Sequence, residues 1–268
     1  IRDIDTLMIN SPGRKWTIVQ VFTDEGLVGL GEATYSQKEV VVVAAIEHMK
    51  QELIGEDPAR IEYLWHKIWR VSSVSGICRM AGPVWMSALS GIDQALWDIK
   101  GKVANMSVVD MLGGRFRDRV EVYSHFGGAT PEDSANMARE KVAEGYTALK
   151  SGTRATSRIF DPYAEDGNPQ ETAEHYAAVR EAVGPDVPCM LDPYHYYDRE
   201  AALYLAKELE KLDYYWMEEP MDEHSMSSYV WLCEQTSLPI CGPETCEGKM
   251  YVRAEWIKAG ACDISRCG

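Results

Sequence analysis

The chain has 268 residues, 46% of them hydrophobic, with 42 acidic against 27 basic residues and a formal net charge of −15. That length supports a sizeable core in one large domain or two, and the acidic balance repels phosphate backbones and anionic membrane surfaces, so neither nucleic acid nor a membrane is an expected partner. No run of apolar residues is long enough to span a bilayer, residues 1–5 do not read as a signal peptide, and an odd set of seven cysteines reads as buried thiols of a cytoplasmic protein rather than a disulfide framework.

The chain opens with β character. Residues 17–23 have strand composition, Asp24, Glu25 and Gly26 form a turn, and residues 27–33 return as a second strand, which together predict a hairpin. Helical spacing follows over residues 38–53, with Val42, Ile46, Met49 and Leu53 on one stripe. Further helices are expected over residues 61–71 and 83–103, the latter apolar at Ala88, Ile92, Ala95, Leu96 and Ile99, and Gly113 and Gly114 close the region. Strands followed by helices predict an α+β domain over residues 1–115.

From residue 116 onward the rhythm becomes strand, helix, strand, helix. Strands are expected over residues 120–124 and 146–150, then ending at Asp192, Glu218 and Cys241, with a sixth over residues 261–266. Thr130 is the expected N-cap of the helix over residues 131–144. Such alternation predicts a (β/α) barrel; a closed one has eight strands, so residues 116–268 read as an incomplete barrel lacking its last strands. Residues 151–170, rich in Gly, Ser, Thr, Asp and Pro, lengthen the second connection and are expected to form a flap over the site.

The intervals from Asp192 to Glu218 and from Glu218 to Glu244 are both 26 residues. One barrel unit uses about that many. Three carboxylates therefore fall at the same end of three successive parallel strands, the end where barrel enzymes keep their chemistry. Converging carboxylates repel one another unless a cation neutralises them, and an all-oxygen set suits Mg²⁺. Glu219, next to Glu218, is expected to point away, because strand neighbours alternate.

The run from Gly91 to Lys102 (GIDQALWDIKGK), then Leu112-Gly113-Gly114, then Trp216-Met217-Glu218-Glu219-Pro220 resembles the enolase superfamily, in particular the mandelate racemase / muconate lactonizing enzyme family and its acid-sugar dehydratases. The resemblance covers essentially the whole chain. It implies an α/β architecture in which an α+β capping domain precedes a modified (β/α) TIM-type barrel. It also implies one Mg²⁺ on Asp192, Glu218 and Glu244, and abstraction of the proton α to a substrate carboxylate. That proton is weakly acidic, since its loss puts a second negative charge beside the first, and a divalent cation on the carboxylate oxygens stabilises the developing enediolate.

The remaining candidates follow from this frame. In the family the second barrel strand often carries Lys-x-Lys. Here Lys150 stands alone and Gly152 takes the second place, so Lys150 is read as binding the substrate carboxylate or lowering a neighbour's pKa rather than as the base. Tyr194 and His195 follow Asp192, and either one serves as the general acid for a departing hydroxyl, histidine having the better pKa for the task. The family's Asp after strand six falls on Gly268 here, so an intact His–Asp dyad is not expected, and Arg266 projects into the barrel to bind an anionic substrate. Arg14 and Trp16, in a loop of the first hairpin, and His125, after the first barrel strand, are further candidate substrate contacts. His48, His66, His175 and His224 read as structural.

The sequence thus predicts a Mg²⁺-dependent enzyme, a lyase or isomerase, acting on a sugar acid, with dehydration as the first reading and a homo-oligomer as the expected assembly. A racemase, epimerase or lactone cycloisomerase of the same family is the alternative. A non-catalytic homologue is the reading from another class, motivated by Gly152 and Gly268. An unrelated barrel hydrolase would need a nucleophile, and no Gly-x-Ser-x-Gly elbow is present.

Overall fold

The computed structural model describes residues 1–11, 14–70, 82–152, 168–244 and 250–266. The chain divides into two compact units, Ile1–Asp118 and Arg119–Gly268.

The first unit is a three-stranded antiparallel sheet, β1 (Asp3–Ser11), β2 (Arg14–Phe22) and β3 (Val28–Glu32), with helices α1 (Glu39–Leu53), α2 (Ile61–Arg70), α3 (Pro83–Ala104) and the short α4 (Val108–Met111). The expected apolar stripe of α1 is buried, with Val42, Ile46, Met49 and Leu53 packed against Ile4, Val19 and Val21 of the sheet and Ile92, Leu96 and Ile99 of α3. The hairpin differs from expectation at its tip. Ser11 pairs with Arg14, Asn10 with Lys15 and Ile9 with Trp16, so residues 14–16 extend β2 instead of forming a loop.

Glycines let β3 lie directly on α3. A Cβ at Gly31 would collide with the Gly91 carbonyl oxygen, and one at Gly91 would come within 2.7 Å of both Ala33 Cβ and Val19 Cγ2. The Gly91 motif is therefore, at its first position, a close-packing device.

The second unit is a six-stranded parallel sheet in sequential order, β4 (Ser124–His125), β5 (Leu149–Gly152), β6 (Cys189–Asp192), β7 (Trp216–Glu218), β8 (Ile240–Gly242) and β9 (Ile264–Ser265). Helices α5 (Pro131–Ala143), α6 (Pro169–Val183), α7 (Arg199–Lys211), α8 (Met226–Gln235) and α9 (Met250–Ala259) fall between successive strands. Sequential parallel strands joined by helices are the building plan of a (β/α) barrel. Leu149, Cys189, Leu191, Met217 and Ile240 are buried against Tyr176, Val179, Leu205, Leu209, Tyr229 and Trp256. Thr130 caps α5 in a reciprocal capping box with Asp133.

The first barrel strand is shorter and later than expected. Ser124 pairs with Leu149, where β5 begins, so residues 120–123 meet no neighbouring strand among the described residues, and Val120 and Val122 are exposed. Most of the expected flap, and Gly268, lie outside the described residues.

Gly31→Val should destabilise the intact protein by about 3 kcal/mol or more, since the added side chain has no room to relax beside the α3 backbone. The urea midpoint would report it, and Gly127→Ala, where φ is not left-handed and a Cβ meets nothing within 4 Å, would separate this steric effect from the cost of losing a glycine.

Candidate active site

Strand register brings the chemistry together. Leu191 pairs with Met217, so Asp192 and Glu218 stand level at the ends of adjacent strands, and Glu218 pairs with Cys241 on the next. Lys150 occupies β5, one strand from Asp192, and pairs with His125 on β4. Beyond β8 a cis Gly242–Pro243 bond leads to Glu244, and beyond β9 comes Arg266.

These side chains converge where water is largely excluded: Lys150 and Asp192 are each 3% exposed, Glu218 2% and Glu219 0%. Lys150 Nζ donates to Glu218 Oε2 at 2.6 Å and lies 2.9 Å from Asp192 Oδ2. Arg266 Nη1 is ion-paired with Glu218 and lies 2.9 Å from Glu244 Oε2 and 3.2 Å from Glu219 Oε1. Trp216 Nε1 also reaches Glu218 Oε2, at 3.4 Å. Four carboxylates are thus gathered around two cations.

Glu219 corrects an expectation. Its backbone takes a left-handed φ of 44°, so the pleat ends at Glu218 and the next side chain turns back into the cluster instead of away from it. Pro220 is the sequence signal for that break, since a proline cannot continue the ladder. Carboxylate oxygens of Asp192, Glu218 and Glu219 all lie within 4.8 Å of one another. Glu223, which the sequence reading did not single out, is also buried; its Oε1 accepts from the Glu244 amide at 2.7 Å and so fixes the loop carrying Glu244. No periodicity points to it, because it lies in the loop after β7.

Tyr194 and His195 both have positive φ, 54° and 61°, and the turn they make is tied by Tyr194 N donating to Asp192 Oδ1 at 3.3 Å and His195 N donating to Glu219 O at 2.7 Å. His195 Nδ1 is 3.1 Å from Met221 O, an acceptor, which assigns the proton to Nδ1. Nε2 is then directed to Glu219 Oε2 at 3.3 Å. The Tyr194 side chain is half exposed. His125 is exposed, its ring edge-on to Tyr123. Arg14 and Trp16 belong to the first unit, at the start of β2.

Electrostatics follow the burial. Desolvation works against the Lys150 charge, but the pull of Asp192 and the hydrogen bonds to Glu218 and Asp192 outweigh it and hold the ammonium above its ordinary pKa. Burial and the neighbouring Glu218 charge raise Asp192, with Lys150 opposing. Glu219 is raised by burial and then by Glu244 and Glu223, against the opposing charge of Arg266. The set fits a hard divalent cation. Its donors are all carboxylate oxygens, and Glu218 Oε1 and Glu219 Oε2 are buried and accept no hydrogen bond among the described residues, although a cationic or imidazole nitrogen stands beside each.

A sequential (β/α) sheet with buried carboxylates at the ends of adjacent strands defines the class as a barrel-type fold with a candidate metal site. Residues 133–267 match the family model for the enolase C-terminal domain-like fold, and residues 8–113 match that for the mandelate racemase / muconate lactonizing enzyme N-terminal domain. A D-galactonate dehydratase family member of Halomonas elongata is 33% identical over 97% of this chain and 70% of its own length. The crystal structure of a D-glucarate dehydratase from Agrobacterium tumefaciens complexed with magnesium superposes with a TM-score of 0.81 at 36% identity, covering 99% of this chain and 71% of that one. That of a 3,6-anhydro-D-galactonate cycloisomerase from Zobellia galactanivorans superposes with a TM-score of 0.86 at 29% identity, covering 100% and 71%. The chain belongs to the mandelate racemase / muconate lactonizing enzyme family of the enolase superfamily. It spans 60 to 70% of the length of the curated relatives it matches. Among the described residues, no helix is long and apolar enough to cross a membrane.

Lys150→Met should cost about 3–5 kcal/mol of stability in metal-free buffer, because it leaves Asp192 and Glu218 facing each other in a buried site without their shared cation. Urea unfolding would measure it. A loss under about 1 kcal/mol, the size of an exposed pair, would mean that the lysine does not hold the cluster together.

Proposed function

We propose that the protein acts as a Mg²⁺-dependent dehydratase of a sugar acid. The observation that supports this reading is the buried convergence of carboxylates at the ends of adjacent parallel strands, with two cations already among them. Asp192, Glu218 and Glu244 are the residues assigned to hold Mg²⁺. When bound, the ion supplies positive charge at the substrate carboxylate, where loss of the α-proton would otherwise place two negative charges together.

The protein's own groups do the rest. Lys150, with its ammonium engaged by two carboxylates, fixes the geometry of Asp192 and Glu218 and adds positive charge beneath the substrate; it is not assigned as the base. In dehydration the C2 proton leaves to a base, a C2–C3 double bond forms, the C3–O bond breaks, and the hydroxyl departs as water on receiving a proton. His195 or Tyr194 gives that proton. His195 is the better candidate: Nδ1–H stays on Met221 O, so the proton given is a second one carried on Nε2, and Glu219 beside Nε2 is the partner through which that proton is replaced. Arg266 and His125 are assigned to the anionic substrate. For Arg14 and Trp16 the assignment rests on side-chain chemistry, a guanidinium for a carboxylate and an indole for a sugar ring.

A second reading, cycloisomerisation, is favoured by the likeness to the Zobellia enzyme. It shares α-proton chemistry but sheds no hydroxyl as water.

The test is to incubate the intact protein with Mg²⁺ in D₂O against a panel of sugar acids and follow C2 by NMR. Dehydration gives a 2-keto-3-deoxy product; exchange at C2 with the hydroxyls retained gives the case to an isomerase; no exchange with any acid, despite bound metal, counts against both. His195→Asn should leave C2 exchange in place while product formation falls by about 10²- to 10⁴-fold, the usual contribution of a positioned acid. Equal loss of both would remove His195 from the acid role.

A further inference from the structure

We propose that Arg266 and the divalent cation are alternative occupants of one oxygen set, so that metal loading expels the guanidinium and readies it for the substrate's carboxylate. This rests on the metal reading above. Arg266 Nη1 is a single cationic nitrogen in contact with Glu218, Glu219 and Glu244 together. Two of those three are carboxylates assigned to the metal. A second cation brought to the same carboxylates meets a like charge already paired with them, at close range and in a place with little water.

The two cations of the cluster are not equivalent. The Lys150 side chain is 4% exposed and held between Asp192 and Glu218, while that of Arg266 is 28% exposed. Arg266 follows the last residue of β9, at the rim, and so has room to withdraw; Lys150, within β5, does not. Arginine suits the exchange: its planar fork pairs with a carboxylate two bonds at a time, so the group that leaves Glu218 and Glu244 is shaped to take the carboxylate of an incoming acid. The consequence is an order of events, cation first and anion second, with Arg266 carrying the coupling between them.

Two measurements on the intact protein, without sugar acid, test the exchange. Calorimetric titration with MgCl₂ compares wild type with Arg266→Met, which keeps the bulk and removes the charge. The variant should bind Mg²⁺ tighter, by about tenfold, a coupling of ordinary size between two sites. Arg266→Lys, which keeps a charge without the fork, should fall between the two. Independently, modification of wild-type Arg266 by phenylglyoxal, read by peptide mass spectrometry, should rise when Mg²⁺ is added; this arm needs no variant to fold. Mg²⁺ binding by wild type with an unchanged or weaker constant in Arg266→Met, or modification that stays level or falls, overturns the exchange and leaves the metal reading standing. Failure of wild type and variant alike to bind Mg²⁺ overturns both.

Discussion

Like charges brought together in a place with little water are the constraint around which the second unit is organised. Asp192, Glu218 and Glu219 are almost wholly buried and within reach of one another. An isolated buried carboxylate would take up a proton rather than stay charged. Here the ammonium of Lys150 and the guanidinium of Arg266 supply compensating charge at hydrogen-bond distance. Such a cluster contributes little to stability in itself, because desolvation offsets most of the attraction. Its value is the field it makes: a small, dry region in which opposite charges are held at fixed positions.

The scaffold serves that field through register. Parallel strands in sequential order put the last residues of β5, β6, β7 and β8 on one edge, and helices such as α6 and α7, buried along one face, hold the strands from behind. Arg180 shows how the opposite turns are kept in place: its guanidinium donates to the carbonyls of Gly184, Val187, Leu212 and Asp213, satisfying backbone groups at the entries to β6 and β7. A one-residue slip of β6 against β7 would separate Asp192 from Glu218, so the rigidity of these distant turns and the geometry of the site are one problem.

What could be read from the sequence was what obeys a period. The stripe of Val42, Ile46, Met49 and Leu53 reports the buried face of α1, and the equal intervals between Asp192, Glu218 and Glu244 report repeating units, because helices and parallel strands impose those spacings directly. What escaped was set by backbone breaks and by neighbours remote in sequence. Glu219 defies alternation through a single left-handed residue. Residues 120–123 have strand composition but, among the described residues, no strand to pair with. Arg266 was legible as an inward-facing arginine, yet its pairing with carboxylates from two other elements belongs to the tertiary structure alone.

The division between strand ends and loops also explains how one plan serves relatives with different reactions. Asp192 and Glu218 close strands, where packing fixes them. Tyr194, His195, Glu223 and Glu244 stand in the turns beyond, held by a few backbone hydrogen bonds such as His195 N to Glu219 O and Glu244 N to Glu223 Oε1. In the proposed reaction, abstraction of a proton α to a carboxylate would depend on the first set, which holds the charge. The fate of the resulting anion, losing a hydroxyl or closing a ring, depends on which acid a loop presents and at what angle, and loops accept change at little thermodynamic cost. Packing thus fixes Asp192 and Glu218, while Tyr194 and His195 sit in a turn of positive φ that a few hydrogen bonds hold, the part of such a scaffold most open to change.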